Sequence, residues 1–274
     1  MSKKYDDIKS ECISGTVAKA ADRYAMDVMG LKSLALMETA SSKIAEYVMN
    51  HYPLSHKISV LCGVGNNGAD GVCASRMLLG EGYQPQVYIV GNLEKASWEF
   101  LYQLCHFQQA GGTVKMYRPN IDPAEAGAAA MVVDPKIDSA EAGAAAAMAV
   151  HPDSDTAADD GSPFRANRLP DDDILIDGIF GIGLHREIAG DYRIFIEEAN
   201  RRRHGFVLAI DAPSGINTDT GELMGCGIKA DVTITFGRNK TGLVCGAGRN
   251  FAGRVLVEDI GIPDEAYDEA EKHA

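Results

Sequence analysis

The sequence lacks any apolar run of the roughly 18 residues that a membrane-spanning helix requires. Residues 1–11 contain no apolar segment of the kind found in secretory signals, so we expect no signal peptide. The six cysteines form no CxxC motif and no Cys/His spacing typical of a zinc site. These absences predict a reduced, cytoplasmic protein that does not act at a membrane.

Positive charge is scarce. The chain has 26 Lys and Arg against 39 Asp and Glu, which gives a net charge of −13. Such a surface repels phosphate backbones, so we expect no nucleic-acid partner and no anionic membrane partner. The one basic cluster, residues 201–203, suits the last turn of a helix.

Two common catalytic motifs are missing as well. The sequence contains no GxSxG and no GxxxxGK[ST], which argues against a serine hydrolase and a P-loop nucleotidase. With 274 residues and 46% hydrophobic content, the chain is long enough for one large α/β domain or two small ones.

The apolar pattern predicts a mostly parallel sheet with helices on both faces. Two helices, 16–29 and one capped by Ser33, come before the sheet. The predicted strands are 57–62, 86–90, 113–117, 174–180, 206–211, 232–236 and 255–260. The predicted helices between them are 70–80, 96–110 and 191–203.

Residues 119–172 interrupt this alternation. They contain an Ala-rich near-repeat, IDPAEAGAAAM and IDSAEAGAAAAM, with few large apolar residues that could dock it on a core. We interpret the segment as a low-complexity surface insertion without catalytic residues, and expect His151 to be exposed. The whole chain, 1–274, is predicted to be a single domain carrying this insertion.

The turn after the first strand is rich in glycine. Gly63, Gly65 and Gly68 satisfy GxGxxG between a strand and a helix, a layout typical of phosphate binding. A dinucleotide site of the usual kind needs an acidic residue after the second strand, where this chain has Gly91 and Asn92. The turn therefore predicts a phosphate site, but not NAD bound in the usual way.

Two further turns should lie at the same sheet edge as the glycine turn. Asp177 lies within an apolar strand, where an unpaired carboxylate is costly, and Asp211 ends the next strand. Asn67, Asp177 and Ser214 would supply hard oxygen ligands from three converging turns. An alkali or alkaline-earth ion and a wholly structural polar network are equally compatible with this spacing.

Other polar and aromatic residues near these turns leave alternatives open. Arg186 could pair with a phosphate or lie free at the surface. Lys240 could reach the crevice, but we expect it to be solvated. Trp98 and the other aromatic residues of helix 96–110 are expected in the core.

Six sequence blocks together resemble the NAD(P)H-hydrate epimerase family, also called the YjeF N-terminal domain family. The blocks are GVGNNGADG at 63–71, DGIFGIGLHRE at 177–187, IDAPSG at 210–215 with DTG at 219–221, ADVTITFG at 230–237, DIGIP at 259–263, and the helical segment 20–38. They occur in order and span about residues 16–263, apart from the insertion.

The resemblance implies a three-layer αβα Rossmann-like sandwich. It also implies epimerisation of the R and S forms of hydrated NADH and NADPH (NADHX and NADPHX), within repair of the nicotinamide cofactor. The implied partners are this substrate, a second copy of the chain in a homodimer, and an NAD(P)H-hydrate dehydratase that acts on the same metabolite.

The resemblance also assigns residues. Those implied to bind the hydrate are Asn66, Asn67, Gly68, Ala69, Asp70, Gly181, Ile182, Gly183, Leu184, His185, Arg186, Glu187 and Asp211. Those implied to coordinate a potassium ion are Asn67, Asp177 and Ser214. Two departures from the family pattern are Ala69, where glycine is usual, and residues 39–41, where N-A-G is usual.

Epimerisation requires proton transfers that break and remake a bond to the ring carbon. Asp211 is our candidate acid/base, because it ends its strand at the crevice, while potassium would keep Asp177 ionised. The alternative is a non-catalytic dimerisation module, like the related domains of mRNA-decapping scaffolds. The retained polar residues and the acidic charge favour the enzyme.

Overall fold

The computed structural model describes residues 12–118, 165–166 and 168–273. The described chain forms an eight-stranded parallel sheet in the order β4-β3-β2-β1-β5-β6-β7-β8. The strands are β1 Ile58–Cys62, β2 Pro85–Ile89, β3 Thr113–Tyr117, β4 Arg165–Ala166, β5 Asp172–Gly178, β6 His204–Ile210, β7 Val232–Phe236 and β8 Arg254–Glu258.

Helices precede, connect and follow these strands. They are α1 Gly15–Asp27, α2 Ser33–His51, α3 Asn66–Gly80, α4 Trp98–Gln109, α5 Gly190–Arg201, α6 Thr241–Val244, α7 Gly248–Phe251 and α8 Asp264–Lys272. A 3₁₀ turn, Leu93–Lys95, precedes α4. None of the described helices is long and apolar enough to span a membrane.

Alternation along the strands divides the core into two layers, as successive strand side chains point to opposite faces. Val60 and Cys62 of β1 pack in a cluster that includes residues of α2, α3 and α4. Leu61, between them, packs on the other face in a cluster that includes α5. The predicted three-layer sandwich with a parallel sheet is therefore confirmed.

A third cluster joins the two ends of the chain. Ala21 and Ala25 of α1 pack with Ala266 and Tyr267 of α8, and all four side chains are buried. The sequence pattern did not predict α8. Its short, charged sequence, DEAYDEAEK, offers only a few small apolar residues, and the helix is recognisable through its packing on α1.

Several other expectations differ from the structure. Helix α3 begins at Asn66, not at Asp70, so the last residues of the glycine turn belong to the first helical turn. Trp98 was expected in the core but is 53% exposed, because it lies at the first position of α4 and points outward; Phe100 and Phe107 are buried as predicted. None of the six cysteines forms a disulfide bond.

The predicted insertion falls largely outside the described residues, as does His151. At its far end, residues 165 and 166 form β4 beside β3, and Leu169 is buried in the α5 layer. Strand β5 begins at Asp172, two residues earlier than the pattern indicated. The near-repeat and the single-domain assignment stay predictions.

Candidate active site

The carboxyl ends of β1, β5 and β6 meet a cavity of roughly 630 Å³. Its walls also include residues of α1, α2 and α8. Eight of the residues predicted to bind the substrate line it: Asn66, Asn67, Asp70, Gly181, Ile182, Gly183, Leu184 and Asp211. The three turns therefore converge, as the strand order of a parallel sheet requires.

The other predicted binding residues do not line this cavity. Gly68 is buried below the turn, where a Cβ atom would lie 1.9 Å from the carbonyl oxygen of Gly63. His185 Nδ1 faces Asp219, with 3.8 Å between the nitrogen and Oδ2. Arg186 is exposed, and Glu187 lines a separate cavity of about 490 Å³. A role for these residues in binding stays a prediction.

Ala69 departs from the usual glycine without narrowing the cavity. Its side chain is fully buried and packs within the α2–α3–α4 layer of the core. Within a helix, alanine is favoured over glycine by about 1 kcal/mol. The methyl group at position 69 thus adds to the core beneath the site.

Asp211 lies at the end of β6 with a backbone φ of 63°, which is a left-handed conformation rare outside glycine. Its Oδ1 accepts hydrogen bonds from Lys240 Nζ at 2.8 Å and from Thr235 Oγ1 at 3.0 Å. The backbone N–H of Phe236 lies 3.4 Å from the same oxygen. No donor among the described residues bonds Oδ2, so this oxygen is available to a ligand in the cavity.

The expectation that Lys240 is solvated is wrong. Its side chain is 2% exposed, and Nζ donates to Asp211 Oδ1, Thr235 Oγ1 and Phe236 O, each at 2.8 Å. Residues 12–14 cover the segment around Lys240, where Thr241 N donates to Ile13 O at 2.8 Å. Lys240 follows β7 at the same sheet edge as Asp211. This position in the sequence was the available sign that the lysine could reach the crevice.

Asp177 lies fully buried beneath the cavity and is bound by Ser214. The Ser214 backbone N–H donates to Oδ2 at 2.7 Å, and its hydroxyl donates to Oδ1 at 2.5 Å. The Ile179 N–H lies 3.3 Å from Oδ1. Burial raises the pKa of Asp177 to about 6, and these hydrogen bonds limit the rise. A neighbouring cation would favour the carboxylate further.

Asn67, Asp177 and Ser214 are the predicted ligands of an ion. The side chain of Asn67 faces Gly181 of the second turn, where a Cβ atom would lie 2.9 Å from Asn67 Oδ1. The amide Nδ2 of Asn67 is buried without a hydrogen-bond partner in the described chain. Among the described residues, no cluster of three or more His, Cys, Asp or Glu could hold a metal. A buried carboxylate, hydroxyl and amide supply hard oxygen donors, which fit an alkali ion.

Sequence reasoning missed the contribution of α1. Lys19, Asp22 and Arg23 line the cavity from this helix. Burial raises the pKa of Asp22 to about 6; the charge of Asp211 adds to the rise and that of Lys240 opposes it. The pKa of Asp70 is raised well above its usual value by burial, then by Asp211 and Asp22. The resemblance of segment 20–38 to the family was the available signal.

Comparisons with known proteins show which family the chain resembles. The family described as "YjeF-related protein N-terminus" matches residues 33–242. The NAD(P)H-hydrate epimerase of Limosilactobacillus fermentum is 35% identical over 91% of this chain and 96% of its own length. That of Limosilactobacillus reuteri (strain ATCC 55730 / SD2112) is 30% identical over 88% of this chain and 91% of its own length.

A solved structure agrees in fold. The crystal structure of yeast ynu0 matches with a TM-score of 0.64 and 17% sequence identity, covering 94% of this chain and 93% of the yeast chain. This match supports the architecture, and the sequence relatives support the family. The chain belongs to the YjeF N-terminal family.

Proposed function

We propose that this protein epimerises the R and S forms of hydrated NADH and NADPH at carbon 6 of the damaged nicotinamide ring. Relatives that match nine-tenths of the chain are NAD(P)H-hydrate epimerases. The observation that carries the proposal is the buried Asp211–Lys240 pair, which lies at the wall of the cavity formed by the three family turns. A carboxylate at this wall would serve as the acid/base group for a nicotinamide ring enclosed in the cavity.

The cavity suits a nucleotide ligand. Its volume falls within the 300–1,000 Å³ or so that is usual for small-molecule sites. Helix α3 begins at the cavity wall. Its N-cap residue is Gly65, which has no side chain to accept a hydrogen bond from the N–H groups of the first turn. The free N–H groups of that turn would attract the diphosphate of the substrate. Lys19 and Arg23 add positive charge along the same cavity.

Asp211 is the proposed proton acceptor. Three donors hold its Oδ1 and so fix the orientation of the carboxylate, while Oδ2 is left for the substrate. The left-handed backbone at Asp211 costs on the order of 1–3 kcal/mol, a strain typical of functional positions. A carboxylate held this way can take a proton without reorganising during the reaction.

A potassium ion is part of the proposal. Asn67, Asp177 and Ser214 would hold it, since they supply only hard oxygen donors from the three turns. When bound, the ion would supply a positive charge that compensates the buried carboxylate of Asp177, and its ligands would hold the three turns together around the substrate.

The decisive measurement follows a single hydrate epimer over time with the wild-type protein and with Asp211→Asn. We expect the variant to bind hydrate and to interconvert the epimers at least 100-fold more slowly, in the range typical of a lost acid/base group. A variant with wild-type turnover and intact binding would contradict the role of Asp211.

Three further predictions rest on the resemblance: a homodimer, coupling to an NAD(P)H-hydrate dehydratase, and a cytoplasmic location. The alternative is a non-catalytic interaction module. A thermal-shift measurement separates the two functions, since hydrated NAD(P)H and potassium should raise the melting temperature of the enzyme together. No shift with either ligand would favour the module.

A further inference from the structure

Asp22 of α1 is a cavity-lining carboxyl group with no role so far in the site. Its side chain is half-buried at the cavity wall and makes no hydrogen bond or ion pair with any described residue. A carboxyl group that lines a ligand cavity and has no protein partner is free to hydrogen-bond to a ligand there. The hydrate is the ligand that the proposed function supplies.

Charged and titratable groups face Asp22 from each element around it. Asp211 follows β6, Lys240 precedes α6, Asp70 lies on α3 and Tyr267 on α8. Lys19 and Arg23 lie on its own helix, and both are exposed. Asp22 is therefore near the Asp211–Lys240 pair but belongs to a different part of the cavity wall.

We infer that Asp22 is the second proton-transfer group of the reaction and protonates the C6 hydroxyl of the bound hydrate, while Asp211 accepts a proton on the other face of the ring. This inference rests on the proposed function. Epimerisation inverts one carbon, so the two faces of the ring need a proton donor and a proton acceptor, respectively. Asp22 and Asp211, which come from separate elements, supply this pair.

The proposed step balances as follows. The Asp22 carboxyl gives its proton to the C6 hydroxyl, the C6–O bond breaks, and water leaves with the bonding electrons. The lone pair of N1 forms an N1=C6 double bond. A water molecule then adds to C6 from the opposite face, the double-bond electrons return to N1, and the proton of that water passes to Asp211. The opposite epimerisation runs the same steps in reverse.

Asp70 also lines the cavity, but the resemblance already implies that it binds the substrate. The pKa of Asp22 is about 6, so this group both releases and regains a proton near neutral pH. The pKa of Asp70 is raised well above the usual value, chiefly by burial.

The test compares Asp22→Asn with the wild type, starting from one pure hydrate epimer. The amide has the size of the protonated carboxyl group but cannot give up a proton. We expect kcat to fall about 100-fold or more, with the binding of hydrate changed by less than about threefold. In the wild type, kcat/KM should fall as the pH rises above about 6, and the variant should lose this dependence. The product formed in water labelled with heavy oxygen should carry the label at C6.

Asp268→Asn is the matched control, since Asp268 is an exposed carboxylate of α8 outside the cavity, and it should keep wild-type activity. If the wild type is active and Asp22→Asn is equally active, the role of Asp22 is overturned. Unlabelled product from an active wild type overturns it too. In both cases the proposed function stands. A wild type that does not interconvert the epimers overturns the proposed function as well. If Asp22→Asn fails to fold, Asp22→Glu decides: a shifted pH profile supports the inference, and an unchanged one overturns it.

Discussion

Lys240 Nζ lies 2.8 Å from Asp211 Oδ1, although the two residues are 29 positions apart in the chain. The lysine side chain is 2% exposed, and its three donors are all used, in bonds to Asp211, Thr235 and the Phe236 carbonyl. A buried ammonium is tolerated only with such a complete set of partners. The pair therefore links the strand end of β6 to the segment after β7.

Replacing Lys240 with Met should both destabilise the protein and slow the reaction. The substitution leaves Asp211, Thr235 and the Phe236 carbonyl without their donor, and breaking a buried pair in this way costs about 3–5 kcal/mol. Urea unfolding measures the cost, and the epimer interconversion rate measures the loss of a positioned Asp211. Lys229→Met, at an exposed site, should leave both quantities near wild type. A Lys240→Met protein as stable as wild type would contradict the role of the pair.

Lys19 and Arg23 should contribute to substrate affinity more than to turnover. They are exposed on one side of α1, one turn apart, and neither forms an ion pair within the described chain. Removing both charges should raise KM by roughly tenfold, with kcat little changed, because they attract the phosphates of the substrate remote from the reacting carbon.

The control for this double variant is Lys95→Ala with Lys229→Ala, which removes the same charge at exposed sites outside the cavity. An equal rise in KM in both double variants would mean that net charge alone steers the substrate. Repeating the measurement at high salt should shrink the effect, since exposed charges are screened.

Potassium should stabilise the protein more than sodium or choline chloride at equal ionic strength. A ligand present at 100 times its Kd stabilises the folded state by about 2.7 kcal/mol, which differential scanning calorimetry detects as a higher Tm. Asp177→Asn should abolish the difference between the cations, since it removes the charged ligand. A Tm that is identical in all three salts would show that the Asp177–Ser214 pair is structural only.

The ion pair between His204 and Asp172 predicts a pH dependence of stability. His204 Nδ1 lies 2.8 Å from Asp172 Oδ1, and Nε2 lies 2.8 Å from the Ala199 carbonyl oxygen. Burial alone would lower the pKa of His204, but the Asp172 carboxylate and the Ala199 carbonyl raise it above 6.5. The contribution is thus complete below pH 6.5 and is lost as the pH rises through the raised pKa.

We therefore expect the Tm to fall by a few degrees between pH 6 and pH 8.5, beyond the trend of a His204→Asn variant. Burial raises the pKa of the Asp172 carboxyl group, and the hydrogen bond from His204 opposes this rise. His273→Asn, at an exposed position of the chain end, should keep the wild-type profile. Parallel profiles for the wild type and His204→Asn would contradict the assignment.

Local patterns in the sequence predicted the sheet well. Runs such as ISVLC and ILID are short, apolar and bounded by glycine, and they became β1 and part of β5. The convergence of the turns at Asn67, Asp177 and Asp211 also followed from the sequence, because parallel strands place their carboxyl ends at one edge. The predicted catalytic aspartate accordingly lines the cavity.

Long-range packing decided the features that were missed. Helix α8 carries too few apolar residues to be recognised by periodicity, yet Ala266, Tyr267 and Ala270 are buried against α1. In the sequence, Lys240 lies in a polar segment and is expected to be solvated. In the structure, residues 12–14 cover this segment. In the sequence Asp22 is an ordinary polar position of a helix, and only the placement of α1 at the cavity wall brings it near Asp211.

By itself, then, the sequence determined the parallel sheet, the glycine turn at its carboxyl edge and the family to which the chain belongs. The tertiary structure alone decided that Asp22, Lys240 and Tyr267 join that turn at one cavity. The physical reason is that the periodicity of apolar residues and the conformation of turns depend on a few neighbouring residues. The burial and charge that define the site arise between segments that are distant in the sequence, and only the packed fold brings these segments together.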